Sequence, residues 1–140
     1  MTIEKSAGAV VFRKENNKRF YLLLEKENGQ LDFPKGNIEK GEKAIDAAAR
    51  ETKEEAGIDD LKFVDGFKET IKVFYKWEGE LRLKFITFFL AETKTRDVKI
   101  SFEHKDYQWL PYEEAVLKLT FKNSKEILKK AEKLFGLNHY

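Results

Sequence analysis

Residues 36–58 read GNIEKGEKAIDAAARETKEEAGI, and how this stretch is read decides the fold of the whole chain. From Lys43 to Ala56 there is neither Gly nor Pro, and Gly57 supplies a left-handed stop. The stretch therefore predicts a helix of about four turns, entered through a loop at 37–42. At about 100° per residue, Ile45, Ala49, Thr52 and Ala56 fall on one mostly apolar stripe expected to face the core. Glu51, Glu54 and Glu55 stand at helical spacing and cluster on another face. Acids at a helix C-terminus oppose the macrodipole and repel one another, at about 0.2–0.5 kcal/mol per pair, so something must compensate. A hard divalent cation would do so, because it takes oxygen ligands. The alternative is a solvated Glu/Lys face, ordinary in a chain that is 37% charged.

Spacing beyond the helix separates the two readings. Gly36, Glu42 and the run Arg50, Glu51, Thr52, Lys53, Glu54, Glu55, Ala56, Gly57, Ile58 resemble the Nudix box, G-x5-E-x7-R-E-U-x-E-E-x-G-U. Every fixed letter matches. Thr52 stands where U denotes a bulky aliphatic residue, on the stripe expected to be buried, so the departure bears on packing and not on metal binding. The resemblance implies an α/β fold, specifically an α/β/α sandwich around a mixed β-sheet, as a single domain over residues 1–140. It implies hydrolysis of a nucleoside diphosphate linked to a group X, by water attack at phosphorus with Mg²⁺, or Mn²⁺, as cofactor. A polyphosphate repels an anionic nucleophile until cations neutralise it. By position in the box, Glu54, Glu55 and the Gly36 carbonyl are the metal ligands, and Gly36 permits a backbone shape in which that carbonyl can point at a metal. Glu51 is a ligand or the base that activates water, and Arg50 and Glu42 orient Glu51 and brace the loop.

Segments outside the box are similar to the diadenosine tetraphosphate (Ap4A) hydrolases of animals and archaea: Gly66-Phe67-Lys68, Phe89-Leu90-Ala91-Glu92, SFEHKDYQWL at 101–110, and Phe121-Lys122. That similarity implies asymmetric cleavage to ATP and AMP, with a small dinucleoside polyphosphate as partner. Glu103 matches a loop glutamate that reaches the metals. Lys35 and Lys84 match phosphate-binding lysines, whose point charges suit a flexible chain. Tyr75 and Phe121 are the candidates for stacking on adenine, with Val73, Phe74 and Trp77 as rivals to Tyr75, because the alignment there needs an insertion. Asp32 stands where related sequences often carry a bulkier residue or His. His104 reads as a structural or solvated loop histidine and His139 as tail. Two alternatives stay open: the same chemistry on a nucleoside triphosphate, ADP-ribose or capped RNA, and a module that binds nucleotide without turning it over.

Composition sets the outer bounds. With 140 residues, 41% of them hydrophobic and twelve Phe, the chain can bury one core. A net charge of +2 makes no global demand for nucleic acid or membrane. The lysine-rich run KNSKEILKKAEKL at 122–134 has apolar residues at helical spacing, interrupted by Glu126 and Glu132, and reads as an amphipathic helix more than a nucleic-acid contact. The absence of Cys excludes disulfides, thiolate metal sites and cysteine nucleophiles, and fits a reducing cytoplasm. No stretch approaches the roughly 20 apolar residues of a membrane span. Oligomeric state has no signal in the sequence. Strands are expected at 6–13 and 20–25, joined as a hairpin, then at 61–66, 67–77, 81–91 and 107–110, with 81–91 central. A short helix should open at Pro111, a longer one should cover 123–134, and 136–140 should fray.

Overall fold

The computed structural model describes residues 1–136. Expectations for His139 and for the tail beyond Gly136 lie outside the described residues. The chain runs β1 (Thr2–Glu15), β2 (Lys18–Lys26), β3 (Leu31–Asp32), β4 (Lys35–Asn37), α1 (Ala44–Ala56), β5 (Lys62–Trp77), β6 (Glu80–Glu92), β7 (His104–Pro111), α2 (Tyr112–Lys118) and α3 (Lys122–Gly136). Seven strands form one sheet in the order β3-β2-β1-β6-β5, with β4 added to β1 and β7 to β2. β1 and β6 are parallel and the remaining pairs antiparallel, so the sheet is mixed.

Alternation along β1 generates the layers. Ala7, Ala9 and Val11 pack on one face with Ala47, Ala48 and Ala56 of α1, while Val10 and Phe12 pack on the other with Ile127, Leu128 and Ala131 of α3. An α/β/α sandwich results, as the resemblance to the Nudix family implies. Asn16 and Asn17, with φ of 52° and 63°, form the tight turn of the first hairpin, and Glu78 and Gly79 repeat it between β5 and β6 with φ of 50° and 79°.

The sheet is split where the site forms. β1 pairs with β2 only at residues 12–15, and its residues 6–8 pair instead with β4. β2 meanwhile continues along β7. The buried Phe33 and the Pro34 carbonyl, which accepts from the Ala9 N–H at 3.1 Å, lie in the parting.

Four expectations are corrected. The segments 61–66 and 67–77 are one strand, β5, whose register slips between Phe63 and Lys68 around Gly66 at φ 89°; the bulge lets one strand bend where two had been read. β6 lies between the central β1 and β5, but its burial is continuous only over residues 88–91; earlier in the strand Leu83 and Ile86 alone are buried, and Leu81 is exposed. The buried face of α1 is rotated to Ala47, Ala48, Thr52, Glu55 and Ala56, with Ile45 and Ala49 only partly covered. Small alanines on both α1 and β1 make that face the one that fits against the sheet, and it carries Glu55 inward. Thr52 tolerates full burial because its hydroxyl donates to the Ala48 carbonyl at 2.8 Å. Gly36 is not needed for a special backbone shape, since it lies within β4 and is absent from the positive-φ glycines.

Candidate active site

Arg50 is the hub of the loop–helix–loop. Its Nε and Nη2 donate to the two oxygens of Glu42 at 2.8 and 3.0 Å, Nη2 also donates to the Asn37 carbonyl at 2.9 Å, and Nη1 donates to Glu51 Oε1 at 2.9 Å. Glu42 in turn accepts from the Glu39 N–H at 3.0 Å. A planar guanidinium can serve these acceptors together, which a lysine ammonium cannot. The arrangement aims Glu51 and closes the loop at 37–42. Glu54 is held by the same Nη1 at 3.3 Å and is 57% exposed.

Glu51 and Glu55 lie one turn apart on the inner face, and the three glutamates do not form one cluster: Glu51 and Glu55 go in, Glu54 goes out. A Cβ on Gly36 would overlap the Glu51 carboxyl group, so the glycine is required for space. Gly36, Glu55, Glu103, His104, Lys35 and Lys84 line a cleft of about 200 Å³. Glu103 is brought there by the ending of α1. Gly57 caps the helix at φ 69°, and the next orphan carbonyls, Ala56 and Glu55, accept from the N–H groups of Lys99 and Ser101 at 2.9 and 3.1 Å. The loop before β7 is thereby fastened to the helix end. His104 is not a solvated loop residue: its side chain is 7% exposed, with Nε2 at 3.9 Å from Glu55. Burial, then the nearby Lys26, lower its pKa, with the charge of Glu103 opposing.

Burial pushes the Glu55 carboxyl up to about 9, reinforced by a hydrogen bond and charge from Glu51 and by the charge of Glu103, against a lowering hydrogen bond from the Lys35 backbone. The carboxylate pair thus holds a proton at neutral pH. All the donors are oxygens or imidazole with no thiolate, so the chemistry suits Mg²⁺ or Mn²⁺. Among the described residues no three acidic or histidine side chains are gathered closely enough to ligate one ion as they stand. Glu51, Glu55 and the Gly36 carbonyl are the core of a fit, and Glu54 joins only by leaving Arg50. The sign of the pH dependence follows. An ordinary Glu ionises near 4.5 and Glu55 near 9, so the metal-free fold loses stability as pH rises through that window. A divalent cation favours the ionised pair. Calorimetry with and without Mg²⁺ should therefore show a larger gain in Tm at about pH 8 than at about pH 6; a gain independent of pH would remove Glu55 from the metal site.

A second cavity, of about 550 Å³, opens beside the cleft between β5, β6 and the start of α3. Period-2 alternation brings Ile71, Val73, Tyr75 and Trp77 to its wall, while Phe74 is 60% exposed and does not line it. Phe121 lies at the mouth, 38% exposed. The Lys84 ammonium stands 5.5 Å from the Tyr75 ring centre and that of Lys35 stands 5.8 Å from the Phe121 ring centre. Tyr75 donates its hydroxyl proton to Glu4, which also pairs with Arg82 at 3.5 Å. Lys26, Asp32, Lys35 and Lys84 line both spaces and form the passage between them. Burial lowers the pKa of Lys84, with Glu4 opposing and Lys35 and Lys26 adding to the fall. The three lysines concentrate positive charge along the passage.

A match to the NUDIX domain covers residues 3–131, most of the chain. The chain belongs to the NUDIX family. A curated relative from Sus scrofa, named bis(5'-nucleosyl)-tetraphosphatase [asymmetrical], is 36% identical over 89% of this chain and 90% of its own. A crystal structure of a C. elegans Ap4A hydrolase binary complex superimposes with a TM-score of 0.83 at 32% identity, over 95% of this chain and 98% of that one. An RNA pyrophosphohydrolase from Nitratiruptor is 29% identical over 83% of each chain. This protein is thus a NUDIX hydrolase, and among its described residues no helix is long and apolar enough to cross a membrane.

Of the residues singled out in the sequence of this NUDIX protein, Gly36, Glu55, Glu103, Lys35 and Lys84 line one cleft, and Lys35, Lys84, Tyr75 and Phe121 line the adjoining cavity. Sequence reasoning missed Lys26, Ser124 and the internal position of His104. Lys26 is one of many lysines and sits at a register shift between β2 and β7, where simple alternation fails. Ser124 has no signal beyond its place at the start of a helix.

Proposed function

We propose that this NUDIX hydrolase cleaves diadenosine tetraphosphate asymmetrically to ATP and AMP, by Mg²⁺-dependent attack of water at phosphorus. The observation that carries the reading is the continuity of the aromatic cavity with the carboxylate cleft through four shared residues, three of them lysines. The similarity to relatives named for this reaction supports it. One adenine fits between the walls bearing Tyr75 and Phe121, and the phosphates run past Lys84, Lys26 and Lys35 toward Glu51 and Glu55. Arg50 fixes the carboxylate of Glu51 where it can take a proton from water. Glu51, Glu55, the Gly36 carbonyl and, on reorientation, Glu54 and Glu103 would hold the cation, whose chemistry is to neutralise phosphate charge and polarise the scissile bond. A cytoplasmic setting goes with this reading and is supported by the cysteine-free composition.

Product analysis in heavy-oxygen water, on a panel of Ap4A, nucleoside triphosphates, ADP-ribose and 5′-triphosphorylated RNA, tests the proposal. Ap4A should give ATP and AMP with the label in one of them. The similarity to an RNA pyrophosphohydrolase makes RNA the rival substrate, and a tenfold or greater preference for it in kcat/KM, about 1.4 kcal/mol, would overturn the Ap4A reading. Phe121→Ala should raise KM about 5- to 100-fold, since base stacking is worth about 1–3 kcal/mol. Its Tm should hardly change, because the ring is 38% exposed; a large fall in Tm with KM unchanged would mark Phe121 as packing alone.

A further inference from the structure

We propose that Asp32 is a positioning residue that sets the cleavage register: it holds the Lys35 ammonium at a fixed place relative to the base platform at Phe121, and so selects which phosphorus reaches the acids. The inference rests on the reading above and deepens it.

Asp32 is 6% exposed, closes β3, and lines both the aromatic cavity and the carboxylate cleft. Its Oδ1 accepts from the Ser124 hydroxyl at 2.7 Å and from the Phe33 N–H at 2.9 Å, and its Oδ2 accepts from Lys35 Nζ at 2.5 Å. Ser124 is 3% exposed in the first turn of α3, just after Phe121. A second tie runs alongside: the Leu31 N–H donates to Thr120 Oγ1 at 2.8 Å, and the Thr120 N–H donates to the Leu31 carbonyl at 3.1 Å. Phe121 is therefore fastened to β3 on both sides, and β3 leads through Phe33 and Pro34 to Lys35 and Gly36.

A carboxylate beside the path of a polyphosphate repels it, so affinity alone would not favour an acid here. Geometry gives the reason. A free lysine side chain carries about 2 kcal/mol of rotamer freedom, and its ammonium can follow whichever phosphate is near. Paired to a buried, doubly anchored Asp32, the ammonium has one position. Successive phosphates of a chain are chemically alike, and only a fixed contact at a fixed distance from the bound base tells one phosphorus from the next.

Asp32→Asn is the test. The amide oxygen still accepts from Ser124 and Phe33, whereas the amide nitrogen cannot accept from Lys35, so the tie to α3 stays and the lysine is released. With Ap4A the wild type should yield ATP and AMP. The variant should raise the share of the symmetric product, ADP, about tenfold or more, with kcat falling further than KM changes. Ser124→Ala should shift the ratio in the same direction and by less. A wild-type product ratio in Asp32→Asn overturns the proposal, whatever happens to Tm. Failure of the wild type to cleave Ap4A would sink the substrate reading by itself. The register would then be read from the heavy-oxygen position on the best substrate of the panel, and an unchanged position in the variant would again overturn it.

Discussion

Glu55→Gln should lose about two to four orders of magnitude in kcat, while the metal-free protein becomes as stable as the wild type or more so at neutral and higher pH. The first effect follows from the proposed function: the substitution would remove a negative charge and one oxygen from the set proposed to hold the cation, which when bound would supply several kcal/mol of transition-state stabilisation. The second follows from burial. Glu55 ionises only near 9 in the fold against an ordinary 4.5, so at neutral pH it takes up a proton on folding. Its contribution to stability is present at low pH and lost as pH rises through that window. A neutral amide at the same position escapes this loss, so the Tm of the variant should gain on that of the wild type as pH increases. Steady-state kinetics at saturating Mg²⁺ and thermal unfolding at two pH values check both parts. Near-normal turnover in a folded variant would remove Glu55 from the metal set, and an equal fall in Tm at every pH would show a packing role.

Gly36→Ala should cost about 100-fold in kcat with little change in stability. The added methyl would overlap the carboxyl group of Glu51, the far end of a flexible side chain, so the fold can accommodate it by rotating the glutamate. Rotation takes Glu51 out of reach of Arg50 Nη1, now at 2.9 Å, and a shift of about 1 Å near a reacting centre is enough for a loss of that size. Unchanged kcat would mean that Glu51 works equally well displaced, and a collapse in Tm would mean that the clash is with the backbone.

Much of the site was legible because it lies on one helix and the turn that enters it. The spacing of Arg50, Glu51, Glu54 and Glu55 fixes their angular positions through the helix pitch, and Glu42 and Gly36 lie within a short loop of it. Spacing could not say which way the helix is rolled. The roll is chosen by the alanines that fit against β1, and it separates Glu54 from its two neighbours. The register slip in β5 also escaped, because Gly66 reads from sequence as a strand end as readily as a bulge.

By itself the sequence determined the family through the spelled-out letters of the box, and through that resemblance the sandwich; helical periodicity over short distances added the local constellation of acids and one arginine. Only the tertiary structure decided that β3, β5, β6 and the start of α3 meet in one cavity, and that Asp32, Lys26 and His104 stand in or beside it. Those meetings depend on how a split sheet and two helices share a core, a contest of packing energies between residues far apart in the chain that no local pattern encodes.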